Sequence, residues 1–352
     1  MTNDHKVKQD FEVHTRLKRK FPVWRGALFA ITALLVGGLS FMSCESDKTG
    51  IRERVTVGVS KSFLSIPVYI AEKKGFFSDE GLDVTIKAYP SGKKATQGLF
   101  AGEVDISTVA DIPVVFNSFE RQDFCIFATF AYSYSIVKII ARRDSGIKTG
   151  EDLKGKKVGA NRGTTSHFFL GVFLIHNQVP LSEVKIVNTE IADLPSALKN
   201  GAVDAISVWE PHTKKARQLL GDNAIELASP EICRMNFNFA VMKRFAQEHP
   251  EILQKFLRSL EKSAAFIRNE REKSLEIMAA ILNLDKDTMR TAWDDVIFGI
   301  SLDQSLLVCW DEIARWGIKN KLTNKKGLPN YLNYIFPDAL EGVKPESITI
   351  IR

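Results

Sequence analysis

The strongest constraint on how this 352-residue chain can fold is that it repeats itself. Gly102-Glu-Val-Asp105-Ile-Ser107 returns about a hundred residues later as Gly201-Ala-Val-Asp204-Ala-Ile-Ser207, with Asp105 aligned on Asp204. Upstream, Val84-Thr-Ile86 parallels Val184-Lys-Ile186, and Val57-Gly-Val59 parallels Val158-Gly-Ala160. Each block reads strand, helix, strand, helix, strand, because short β-branched runs alternate with segments of 3.6-residue apolar period such as 67–77 and 167–178. That alternation predicts α/β architecture with parallel sheets, and two copies predict two similar lobes. A solenoid is excluded, since the period is far longer than one supersecondary unit and occurs only twice.

The runs 124–134 and 136–142 are apolar, aromatic and β-branched, which suits strands that finish the first lobe and cross to the second. After Pro230, Met235-Asn-Phe-Asn-Phe-Ala-Val241 is extended again and supplies a return crossing. Two crossover strands make a hinge. From Arg244 onward a helical C-terminal tail is expected, over 251–267, 273–282, 286–298 and 304–318. Its stripe Leu253, Phe256, Leu257, Leu260 is spaced for packing on the first lobe. The expected boundaries are 54–143 with 238–352 for lobe 1, and 144–237 for lobe 2.

The formal charge of +6 is concentrated at the N-terminus, where residues 1–44 hold seven Lys/Arg against three Asp/Glu. The remainder is nearly neutral and gives no electrostatic footprint for nucleic acid. Arg16, Lys18, Arg19, Lys20 and Arg25 precede an apolar run from Gly26 to Met42, so 1–43 reads as a signal peptide or a membrane anchor. Ser43-Cys44 resembles a lipoprotein processing site, with Cys44 the lipidated residue and 44–53 a polar tether. Three cysteines remain, Cys125, Cys233 and Cys309, an odd number in apolar sequence that suits buried thiols better than a disulfide framework.

In open α/β sheets a ligand binds beyond the carboxyl ends of the strands. The candidates are therefore Ser60 and Phe63 after the opening strand, Asp111 after Val109-Ala110, Tyr132 and Ser133 at the first crossing, and in the second lobe Arg162 to Ser166, Trp209 and Glu210. Arg162-Gly163-Thr164-Thr165-Ser166 carries the strongest chemistry: a glycine turn leads into hydroxyl residues at a helix start. Backbone N–H groups, hydroxyls and a guanidinium can there converge on a carboxylate, sulfonate or phosphate. The same residues also suit a helix cap by Thr164 or Thr165 with Arg162 solvated. Trp209 offers an aromatic face and Glu210 a carboxylate, which Phe63, Tyr132 and Asp111 could answer from the first lobe; with Arg162 the set suits a zwitterion. Each acid alone equally suits a surface charge or a cap. His167 forms no base–nucleophile pair with Ser166, because successive helical side chains diverge. No Gly-x-Gly-x-x-Gly, no Cys-x-x-Cys and no His pair at ligand spacing occurs, so no cofactor, metal or catalysis is expected.

Four segments resemble ABC-importer binding proteins of the nitrate, sulfonate and taurine type, a group that also includes binders of thiamine-pyrimidine precursors. They are 66–77 with Glu80-Gly-Leu82, Ala101-Gly-Glu-Val-Asp105, Asp152-Leu-Lys-Gly-Lys-Lys-Val-Gly159 with Gly163-Thr164, and Asp204-Ala-Ile-Ser-Val-Trp-Glu-Pro211. The resemblance implies a type II, two-lobed periplasmic-binding-protein (Venus-flytrap) fold that closes on its ligand and docks on a membrane permease. It also implies that Ser60, Asp111, Tyr132, Gly163, Thr164 and Trp209 line the cleft. The expected protein is a monomeric, extracytoplasmic, membrane-tethered component that captures a small anionic or zwitterionic organic molecule. Many sulfonate-type members carry Asp where this chain has Glu210, so ligand identity does not carry over. The same fold serves ligand sensing and thiamine-precursor synthesis, which are the alternative functions; the export segment argues against the second.

Overall fold

A computed structural model describes residues 52–228 and 234–351. The chain enters through β1 (Glu53–Ser60), α1 (Ile66–Lys73), α2 (Phe76–Asp79), β2 (Leu82–Tyr89), α3 (Gly92–Phe100), β3 (Ile106–Ala110), α4 (Asp111–Ser118) and β4 (Phe124–Ser133). It crosses to build β5 (Val137–Arg142), β6 (Lys157–Ala160), α5 (Thr165–His176), β7 (Lys185–Asn188), α6 (Leu194–Lys199), β8 (Ala205–Trp209), α7 (His212–Leu220) and β9 (Ala224–Leu227). β10 (Met235–Met242) returns, followed by α8 (Lys243–Glu248), α9 (Pro250–Asn269), α10 (Arg271–Leu282), α11 (Lys286–Trp293), β11 (Val296–Ser301), α12 (Gln304–Lys319) and α13 (Asp338–Glu341).

These strands make two sheets, in the orders β11-β4-β10-β3-β1-β2 and β7-β6-β8-β5-β9. In each, the first three strands of the repeat are parallel, and the next neighbour is antiparallel: β10 beside β3, β5 beside β8. Both antiparallel strands have just crossed from the other lobe. The sheets are therefore mixed, where parallel ones were expected, because a crossing strand enters from the end at which the repeat's own strands leave. β5 accordingly lies in the second sheet, ahead of the boundary expected at 143, and β10 joins the first sheet from Met235, ahead of the one expected at 238.

The repeat has a local physical basis. Gly102 and Gly201 both adopt φ +71°, in the left-handed region open to glycine. Each closes the preceding helix with the same bond pair: Glu103 N–H to Gly98 O at 2.9 Å and Gly102 N–H to Leu99 O at 3.1 Å, against Ala202 N–H to Ala197 O at 3.0 Å and Gly201 N–H to Leu198 O at 3.2 Å. The aspartate three residues on then clamps the next strand. The Asp105 carboxylate accepts Thr56 N–H at 2.8 Å while Asp105 N–H donates to Thr56 O at 2.8 Å; Asp204 does both with Lys157, also at 2.8 Å. Each clamp sets the register of the middle strand, pairing Val57 with Ile106 and Val158 with Ala205.

The tail buries the stripe expected of it, with Leu253, Phe256, Leu257 and Leu260 all in the core. Phe256 stacks on Phe77 at 5.3 Å and meets Phe239 edge-on at 5.0 Å, contacts that add to the roughly 1.5–3 kcal/mol of burying such a side chain. The helical period read over 286–298 stops at Trp293. Val296, Phe298 and Ile300 are buried while Ile297 is exposed, a period of two that puts β11 on the edge of the first sheet beside β4. No helix among the described residues is long and apolar enough to cross a membrane. The segment 1–43, Cys44 with most of its tether, and Cys233 lie outside those residues. Cys125 is buried and its thiol is pushed up to about 12 by burial; Cys309 is only half-buried, its Sγ 3.7 Å from Asp111 Oδ2.

Candidate functional site

The carboxyl ends of β1, β3, β6 and β8 converge on one cavity between the lobes. On the first lobe, Ser60 N–H donates to Thr108 Oγ1 at 3.0 Å, and Ser60 Oγ lies 3.2 Å from Ser62 Oγ and 3.1 Å from Ser65 Oγ. The turn from β2 into α3 supplies the rest. Ser91 caps α3 by accepting Lys94 N–H at 3.3 Å. A Cβ on Gly92 would stand 3.2 Å from Thr108 O, so glycine is what lets α3 begin so close to β3. Lys93 follows and reaches across the lobes, donating to Arg162 O at 3.0 Å.

On the second lobe, Gly163 turns the chain with φ +72°, and Thr164 follows in an extended conformation. Thr164 Oγ1 donates to Asn161 O at 2.7 Å and does not cap α5, which has no side-chain cap. His167 N–H already donates to Thr164 O at 3.1 Å, so the donors of this helix start are the N–H groups of Thr165 and Ser166, and with them the positive end of the helix dipole lies beside the cavity that Thr164 and Thr165 line. Ser166 is a brace: its Oγ donates to Ser207 O at 2.6 Å, and Ser207 Oγ donates to Ser166 O at 2.8 Å. Trp209 lines the same cavity, and Phe130, Phe237, Ile136 and Val137 give it apolar walls. Its volume is about 40 Å³, on a measure by which one water needs roughly 10–15 Å³.

The structure thus brings Ser60, Thr164, Thr165 and Trp209 together, and places the other candidates elsewhere. Arg162 and Gly163 line a separate, adjoining cavity. Phe63 is buried in the core, edge-on to Trp293 at 5.7 Å and to Phe298 at 5.9 Å. Tyr132 lies under the Arg234 guanidinium at 3.8 Å, and Ser133 is buried at the crossing, accepting Ser135 N–H at 3.2 Å. Asp111 is turned into the first lobe. It accepts Asn236 N–H at 2.7 Å, Asn236 Nδ2 at 3.0 Å, Asn238 Nδ2 at 3.1 Å and Trp310 Nε1 at 2.8 Å, and burial raises its pKa against the pull of those donors. Glu210 accepts Lys214 N–H at 3.0 Å at the start of α7 and pairs with Arg217 at 2.6 Å. Both acids expected to face a ligand cation are therefore spent inside their own lobes, and among the described residues none that lines the main cavity is acidic. With Lys93 and the α5 terminus present, the cavity has a positive bias.

Lys93 and Thr108 were missed from sequence. The signal for Lys93 was Tyr89-Pro-Ser-Gly-Lys-Lys94, a strand end, a turn and a capped helix start at the end of β2; Thr108, inside β3, carried none.

The lobes also touch away from the cavity. Trp316 of α12 packs edge-on against His167 and Phe168 of α5, each at 5.1 Å, and fits because position 171 is glycine: a Cβ there would meet Trp316 Nε1 at 2.7 Å. Elsewhere Lys138 lies 3.6 Å from Asp295, and Lys214 pairs with Asp285.

Relatives share this architecture. A Bacillus subtilis (strain 168) protein named for aliphatic sulfonates binding is 28% identical over 303 residues, covering 83% of this chain and 89% of its own. The crystal structure of the periplasmic aliphatic sulphonate binding protein SsuA from Escherichia coli superposes with a TM-score of 0.67 at 21% identity, over 80% of this chain and 97% of that one. The alkanesulfonate-binding protein SsuA from Xanthomonas axonopodis pv. citri, bound to MOPS, gives 0.69 at 18% identity over 82% and 99%. These likenesses establish the two-lobed binding-protein fold. Since the family profile matches residues 62–274, well over half the chain and both lobes, this protein belongs to the NMT1/THI5-like family.

Proposed function

We propose that this protein is the extracytoplasmic solute-binding component of an ABC importer and that it captures a small organic anion of the sulfonate class, releasing it chemically unchanged. The observation that carries the reading is the start of α5 at Thr164-Thr165, without a side-chain cap and beside Lys93, in a narrow cavity whose lining holds no acid among the described residues. A sulfonate head presents three acceptor oxygens, the complement of N–H groups, hydroxyls and an ammonium. The apolar walls and Trp209 suit its carbon chain. With no carboxylate among the described residues of the lining, an anion is favoured over a zwitterion such as taurine. Relatives named for sulfonate binding support the same reading.

The reading includes a monomer that delivers ligand to a membrane permease and is held at the outer face of the membrane through lipidated Cys44. Ser60, Thr108, Lys93, Thr164, Thr165 and Trp209 form the ligand contact set. The test is a thermal-shift panel on the full chain with alkanesulfonates, taurine, sulfate, nitrate and alkyl carboxylates. A ligand at one hundred times its Kd stabilises the folded state by about 2.7 kcal/mol. Alkanesulfonates should raise the midpoint most and be recovered intact; silence across the sulfonates, or a recovered product, would overturn the reading. Incorporation of labelled fatty acid, abolished by Cys44→Ser, tests the anchor.

A further inference from the structure

We propose that the cavity adjoining the sulfonate pocket is a second anion-binding compartment, so that the preferred ligand is two-ended, with an acidic group at each end. This rests on the sulfonate reading of the first pocket. The two cavities adjoin, sharing Lys93 and Pro113 in their walls. The second is far roomier, about 420 Å³ against about 40 Å³. The pocket at Thr164-Thr165 has room for a head group, and a longer ligand would extend past Lys93 into the second cavity.

The chemistry of that second room is specific. Lys93, Arg162 and Lys321 contribute three cations to its lining, which holds no acid among the described residues. Among the described residues neither Arg162 nor Lys321 has a carboxylate partner. The acid of the neighbouring groove, Glu120, faces Lys325 at 3.9 Å. Three such cations in one recess repel one another unless an anion joins them. The independent sign is His167, which lines the same cavity at 2% exposure, with an Nδ1 that has no hydrogen-bond partner. A buried, unpartnered nitrogen costs stability until a ligand satisfies it. Burial and the nearby Arg162 charge keep this imidazole neutral, its pKa pushed down to about 4, so Nδ1 can carry the proton that an anionic oxygen would accept. Residues of both lobes form the room: Arg162 and His167 belong to the second, Phe116, Asn117 and Lys321 to the first. A second acidic group there would tie the lobes together, as Lys93 does with Arg162 O.

The test compares 3-sulfopropionate with propane-1-sulfonate by isothermal titration calorimetry on the full chain, and repeats the pair on Lys321→Gln and Arg162→Gln. The expected result is at least tenfold tighter binding of the two-ended ligand to the natural protein. That ratio should fall below about threefold in both variants. Equal affinities for the two ligands in the natural protein, or a ratio unmoved by either substitution, would overturn the second compartment while leaving the sulfonate reading in place. Binding of neither ligand would remove both.

Discussion

Asp111 offers the sharpest division between a ligand group and a structural one. Its carboxylate is 1% exposed and accepts four N–H bonds of 2.7–3.1 Å from Asn236, Asn238 and Trp310, which ties α4 to β10 and α12. Replacing it by alanine strands those donors in an interior where each unsatisfied group costs about 1–3 kcal/mol. The donors relax together, so the sum is not realised, and breaking such a buried network typically costs about 3–5 kcal/mol. Asp111→Asn keeps the shape and one acceptor oxygen but turns an NH₂ toward some of the same donors; about 2 kcal/mol is expected. Urea unfolding should therefore rank natural protein above Asn above Ala. The sulfonate Kd of the folded fraction should stay within about threefold of the natural value, since Asp111 does not line the cavity. A loss of stability under about 1 kcal/mol for Asp111→Ala, with a tenfold weaker Kd, would refute the placement and restore the carboxylate to the cleft.

Other consequences follow from the same geometry. Asp105→Ala should cost about 1–2 kcal/mol, and Asp204→Ala less, because the second clamp bond is solvent-exposed and the first half-buried; equal unfolding midpoints would contradict this. Gly171→Ala drives a Cβ to 2.7 Å from Trp316 Nε1, so Trp316 must withdraw, and small-angle scattering should show a larger radius with several-fold weaker ligand binding. An unchanged radius and Kd would dismiss Trp316 as a lobe contact that matters. His167 and His212 are both held neutral down to about 4 by burial, below the 6.5 of a free imidazole. The folded state thus binds fewer protons than the unfolded one between those values, so their stabilisation is complete above pH 6.5 and is lost as pH falls toward 4. The span corresponds to up to about 3 kcal/mol for each histidine. Unfolding at pH 7 and 4.5 should show a smaller pH-dependent loss in His167→Gln than in the natural protein, and an identical loss would argue against the assignment. Phe256→Ala should cost about 3–5 kcal/mol in the same assay, as expected for a fully buried ring touching Phe77 and Phe239; a cost under about 1 kcal/mol would show that the stripe is not core.

What sequence alone determined about this protein is what depends on near neighbours in the chain. The Gly-x-x-Asp repeat specifies a left-handed helix stop with a carboxylate three residues on, so it announced two like lobes wherever they might sit, although the strands that each carboxylate clamps lie 49 and 47 residues back. The glycine turn at Gly163 and the strand ends that carry Ser60 and Trp209 were legible for the same reason, since a strand's carboxyl end is marked by its own residues. Tertiary structure decided which way those residues face. Asp111 and Glu210 stand at aligned positions after aligned strands, and either could meet a ligand; Asn236, Asn238 and Trp310, more than a hundred residues away, draw the first inward, while Arg217 and the α7 backbone hold the second. Lys93 enters the site because a bend at the end of β2 aims it across the cleft, and Arg162 leaves the head-group pocket for the roomier cavity next to it. The sign of the site's charge, and with it the proposed preference for an anion over a zwitterion, is a sum over side chains from both lobes. No window of sequence contains that sum, because burial and hydrogen-bond competition are settled only when distant segments meet.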